Sequence, residues 1–173
     1  MLNQHEIDSI ETDFRNIKII NIALILSVLF FGIVISVIVP WNDVHSNITI
    51  FAAVGFFVAL SMIVMSTVIP RIISASTAKA TAGRMRAGEI KSFGEKGIKQ
   101  FAGQFQVANI IRIAMLEGAA FLNLIFYFVD KSLIELVVAG ICLLLLGIGF
   151  PTSNRVIGWI ENHMNQIQDH MRL

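Results

Sequence analysis

The amino-acid sequence predicts an all-α integral membrane protein, with four transmembrane helices and amphipathic cytoplasmic helices at the N-terminus, in the central loop and at the C-terminus. Three observations lead there. Of the 173 residues, 55% are hydrophobic and 14% charged, whereas a soluble domain carries about 25% charged residues to cover its surface. The apolar residues are gathered in blocks at 19–39, 48–69, 104–129 and 133–150, each near the length of about 20 residues that a helix needs to cross the hydrocarbon core. None of the blocks alternates as a membrane β-strand does. The chain is read as one domain over 1–173.

The first block, Ile19–Val39, is closed by Pro40 and Trp41, a helix breaker followed by an interfacial aromatic. Its flank MLNQHEIDSIETDFR is acidic, the block exceeds a signal-peptide core, and no small-x-small site follows, so it is expected to be a retained anchor. The second and fourth blocks end at Pro70 and Pro151, where a helix would lose a hydrogen bond. The segment 71–103 is expected as a loop. It holds Arg71, Lys79, Arg84, Arg86, Lys91, Lys96 and Lys99, while the turns at 40–47 and 130–131 hold only Lys131. Positive charge favours the cytoplasmic side, so this loop and both termini are expected there. The pattern resembles small four-span proteins of bacterial inner membranes, which sets the expected localisation.

Apolar residues recur at helical spacing outside the blocks: Ile7, Ile10, Phe14 and Ile17; Ile90, Phe93, Ile98 and Phe101; and Val156, Ile160, Met164, Ile167 and Met171, with Ser153 as the expected N-cap. Such stripes lie on the bilayer surface, pack on one another, or dock a larger partner.

Several function classes are disfavoured. A net charge of +1 gives no electrostatic footprint for nucleic acid. Cys142 is alone and sits in an apolar block, as a buried small hydrophobe does. The histidines, His5, His45, His163 and His170, lie outside the blocks, and His163 and His170 are not at the i, i+4 spacing of two metal ligands. No metal or other cofactor is expected. The spans lack a nucleophile beside a base, and GEIKSFGEKG matches no phosphate-binding loop. The protein is expected not to be an enzyme.

The third block is unusual. Within QVANIIRIAMLEGAAFLN it carries Gln106, Asn109, Arg112, Glu117 and Asn123. At 100° per residue these residues, with Ala120 and Tyr127, fall in one sector of roughly 140°, opposite Val107, Ile111, Ala114, Met115, Gly118, Leu122 and Ile125. The polar side is expected to face the bundle interior or a neighbouring subunit. Glu117 lies near the midplane, where it must be protonated, paired or hydrated. Arg112, about 7.5 Å nearer the cytoplasm, could snorkel, and Glu135, near the outer end of the fourth block, is expected to reach water. Serines and threonines of the first two spans, Ser27 and Ser36 or Ser61, Ser66 and Thr67, are the expected partners.

Two functions fit this stripe. In one, the five polar residues form a buried network that holds a non-catalytic subunit together, as a homo-oligomer or within a larger membrane complex. In the other, Glu117 binds a proton or cation in an oligomeric channel or carrier. The run MLEGAAFLNLI resembles the carboxylate helix of rotary ATPase proteolipid subunits, in which a Glu followed by small residues carries the ion. The resemblance covers about a dozen of the 173 residues. The glycine-repeat first helix of that family is absent.

Overall fold

The computed structural model describes residues 11–88 and 95–172, and within them every long element is an α-helix. These are α1 (Glu11–Ile38), α2 (Ile50–Arg86), α3 (Glu95–Asp130), α4 (Leu133–Ile148) and α5 (Ser153–Arg172), with a 3-10 turn at Trp41–Asp43. Three stretches, Arg15–Ile38, Ile50–Arg86 and Phe101–Asp130, are long and apolar enough to cross a membrane. The number rises to four if Leu133–Ile148 and Ser153–Asp169 together make one broken span.

Two boundaries differ from expectation. The segment 71–103 is largely helix, because α2 runs through Pro70 to Arg86 and α3 begins at Glu95. A proline removes one backbone hydrogen bond and crowds one carbonyl. After it, Ser-Ala-Ser-Thr-Ala-Lys-Ala-Thr-Ala supplies four alanines and a lysine, all good helix formers, and Ala78, Thr81 and Ala82 become buried. That burial and propensity outweigh one lost bond. The other difference is the cap of α5: the carbonyl of Thr152 accepts the first helical bond, from the Val156 N–H at 3.1 Å, so Thr152 rather than Ser153 is the N-cap. Ile7, Ile10, Ile90 and Phe93 lie outside the described residues, as do the side chains of Phe14, Ile98 and Met171.

The chain packs as two compact units, one of residues up to Ile19, Ile69–Ile110 and the chain from Pro151, the other of Ile20–Val68 and Ile111–Phe150. In the first, alanines 78 and 82 of α2 leave room for Phe101, Val156, Ile160 and Ile167. His163 of α5 is fully buried among them. Its ring stacks on Trp159 at 4.9 Å and meets Phe101 edge-on at 5.2 Å. Nδ1 lies 3.1 Å from the Ser74 hydroxyl, while Nε2 is buried without a partner.

Burial lowers the pKa of His163 below the usual imidazole range, because charging the ring would also place a second N–H on Nε2 with nothing to accept it. An unfolded histidine titrates near pH 6.5. The folded protein should therefore hold its stability above that value and lose it as pH falls through it, since the unfolded chain takes up the proton first. Thermal melts followed by Trp159 fluorescence in a Trp41→Phe background check this. A midpoint that, measured relative to that of His163→Gln, drops between about pH 7 and pH 5 is the expected result.

In the second unit, Val28 and Ile35 of α1, Leu116, Leu124 and Tyr127 of α3, and Val138, Cys142 and Leu146 of α4 make the core. At one end the chain is tied across the α3–α4 turn. The His45 N–H donates to the Lys131 carbonyl at 3.1 Å, and the Leu133 N–H donates to the His45 carbonyl at 2.9 Å. The Ser132 hydroxyl donates to the Asn47 carbonyl at 3.3 Å. Lys131 takes a left-handed conformation with φ 59° and ends α3 by donating its N–H to the Tyr127 carbonyl at 2.8 Å. Its ammonium reaches Asp43 at 2.6 Å, an exposed pair that adds at most about 1 kcal/mol. Thr49 caps α2 by accepting the Ala52 N–H at 3.2 Å, and its hydroxyl donates to Asp130.

Candidate functional site

The polar residues of α3 sit where the pitch of a helix puts them. Asn109, Asn123 and Tyr127 are buried and Gln106, Arg112 and Glu117 half-buried, whereas Val107, Ala114, Gly118 and Ile125 are exposed. Gln106 and Asn109 belong to the first unit, where the Asn109 amide nitrogen is buried without a partner. Arg112, Glu117 and Asn123 belong to the second.

Each of those three meets a different element. The guanidinium of Arg112 packs on Gly149, the C-cap of α4, so closely that a Cβ there would lie 2.9 Å from Nη2. A cation at a helix C-terminus is favoured by the exposed carbonyl dipoles, typically by 0.3–1 kcal/mol. Glu117 lies 2.8 Å from the Ser27 hydroxyl of α1, one of the partners the sequence offered. That hydroxyl also lies 2.7 Å from the Leu24 carbonyl. A serine has one hydrogen to give. That hydrogen is therefore shared between the Glu117 carboxyl and the Leu24 carbonyl.

Asn123 is wedged between α3 and α2. Its amide nitrogen donates to the Ala119 carbonyl at 2.8 Å and to the Gly55 carbonyl at 3.3 Å. A Cβ on Gly55 would stand 2.5 Å from the Asn123 carbonyl oxygen, so only glycine permits this approach. The Asn123 oxygen has no donor, and neither does the Tyr127 hydroxyl have a partner one turn further on.

The expectation that Glu135 reaches water is corrected. Its side chain is fully buried, with both carboxyl oxygens lacking a hydrogen-bond partner. The tie between 45–47 and 131–133 closes the turn from which α4 starts, and Ser132 is fully buried there too. Position in the first turn of α4 favours a carboxylate by at most about 2 kcal/mol. Removing an unpaired charge from water costs several kcal/mol, so burial dominates. Helical pitch had placed Tyr127 on the inward side, but the sequence offered no signal for the burial of Glu135 or of the Nδ1 of His45.

Outside these groups, a groove of about 550 Å³ between α1 and α4 is lined by Gly32, Ser36, Trp41, Leu124, Ala139 and Gly140 among others. A Cβ on Gly140 would meet nothing within 4 Å. Among the described residues no three His, Cys, Asp or Glu side chains come together as metal ligands would. Comparison with family models, curated proteins and solved structures finds no match to this chain.

Proposed function

We propose that the protein is a non-catalytic four-span subunit that assembles, with copies of itself or in a larger complex, in a bacterial inner membrane. The termini and the region 71–103 face the cytoplasm, where the apolar stripe of α5 is packed against α2 and α3 within the first unit. The observation that carries this reading is Asn123, whose amide joins α3 to α2 through a carbonyl that only glycine leaves accessible. With Ser27 on Glu117 and Gly149 on Arg112, three of the stripe's five polar residues meet a neighbouring helix or its cap. The small-residue groove between α1 and α4 supports self-association, since close backbone approach is what joins helices in lipid.

Purification in mild detergent, with the mass measured by light scattering, tests the proposal. The expected result is one assembly with a fixed stoichiometry, well above the 19.1 kDa chain; a monomer without a partner would sink it. Glu117→Gln should leave that assembly intact, because a glutamine side chain of the same length keeps an oxygen that accepts from Ser27. Asn123→Leu should lower bundle stability by about 1 kcal/mol, near the average of interhelical polar contacts in membranes.

The shared hydroxyl of Ser27 also favours a second reading, in which Glu117 carries a proton through an oligomeric channel or carrier. Proton uptake by proteoliposomes separates the two. Flux that Glu117→Gln abolishes while assembly persists supports transport; no flux in the unaltered protein removes it.

A further inference from the structure

We propose that Glu135 is a proton-binding site: its carboxyl carries a proton in the folded protein and exchanges it at the end of the unit formed by residues 40–49 and 130–135. The unit Ile20–Val68 and Ile111–Phe150 contains four carboxyl groups, Asp43, Glu117, Asp130 and Glu135. Asp43 is paired with Lys131, Asp130 accepts the Thr49 hydroxyl, and Glu117 has Ser27. Glu135 alone among them has both oxygens buried and without a hydrogen-bond partner. An ionised carboxylate needs several donors or a cation when taken from water, and a neutral acid does not.

The other ionisable groups do not supply that cation. The α1 and α2 portions of the unit contribute none, and the segment between them holds only Asp43 and His45. His45 presents a buried Nδ1 without a partner, and α3 contributes Tyr127, Asp130, Glu117 and Arg112. Arg112 is engaged at Gly149, at the opposite end of α4. Lys131 is held by Asp43 at 2.6 Å. Both members of that pair are well exposed, and Lys131 lies one turn of chain before Glu135, so water stands close to the buried acid. Proton exchange requires only that the tie through His45, Asn47 and Ser132 open.

Infrared difference spectroscopy on the whole protein in liposomes tests this, with Glu117→Gln to remove the carboxyl of α3 that sits against Ser27. That variant is expected to show the carbonyl stretch of a protonated carboxyl at neutral pH, lost as pH is raised, with carboxylate bands gained in step. Glu117→Gln combined with Glu135→Gln should lose the signal entirely and keep the melting temperature of Glu117→Gln, because the amide replaces a neutral acid. Absence of a protonated-carboxyl band in Glu117→Gln would overturn the assignment, as would a band unchanged in the double variant. Should the double variant fail to fold, the single variant decides alone.

Discussion

Gly55→Ala should destabilise the bundle by about 3 kcal/mol, one of the two largest effects expected of a single substitution here. The new methyl would stand 2.5 Å from the Asn123 oxygen and 3.1 Å from the ring of Phe126. Asn123 cannot swing away, because it is fully buried and its amide holds the Ala119 and Gly55 carbonyls. Overpacking of this kind costs roughly 1–3 kcal/mol, and loss of the amide contacts adds about 1 kcal/mol. The gain in helix propensity from glycine to alanine, up to about 1 kcal/mol, offsets part of that. The assignment to a clash is checked by a double-mutant cycle in detergent-driven unfolding. Asn123→Ala removes the colliding oxygen, so the double variant should be less destabilised than the sum of the two by about 2 kcal/mol. Additivity would mean that α2 and α3 do not meet at this point.

Tyr127 gives the other large effect, with a reversal of sign between two variants. It is the largest fully buried side chain of the described residues, packed in the α1–α3–α4 core. Tyr127→Ala should cost about 3–4 kcal/mol, as emptying an aromatic site does. Tyr127→Phe deletes only the hydroxyl, which has no partner. Since a buried donor without an acceptor costs roughly 1–3 kcal/mol, Phe should be neutral or stabilising by about 1 kcal/mol. Unfolding of both variants under one set of conditions decides the matter. A phenylalanine variant weaker than the parent would show that the hydroxyl holds a bond.

Much of this was legible beforehand. The apolar blocks became helices because bilayer-length hydrophobicity leaves few other solutions. The buried side of α3 followed from helical pitch, since Asn109, Asn123 and Tyr127 fall on one side and Val107, Gly118 and Ile125 on the other. Ser27 could be named as a partner for Glu117 because α1 offers few hydroxyls. What escaped has a common cause. The helix past Pro70, the burial of Glu135 and the need for glycine at Gly55 are each decided by what packs against a residue from elsewhere in the chain. A proline reads as a stop unless later burial of Ala78 and Ala82 is known. A lone glutamate near the end of an apolar block gives no sign that a strap at 45–47 will close the turn beside it.

The strap has a consequence for biogenesis. Asp43 and Lys131 are 88 residues apart, so in the proposed four-span topology the stitch joins two hairpins that leave the ribosome separately. Until the later hairpin is made, the backbone groups of His45 have no protein partner at Lys131 and Leu133. Closure of that stitch is thus a late step, open to the chain only once residue 131 has been made.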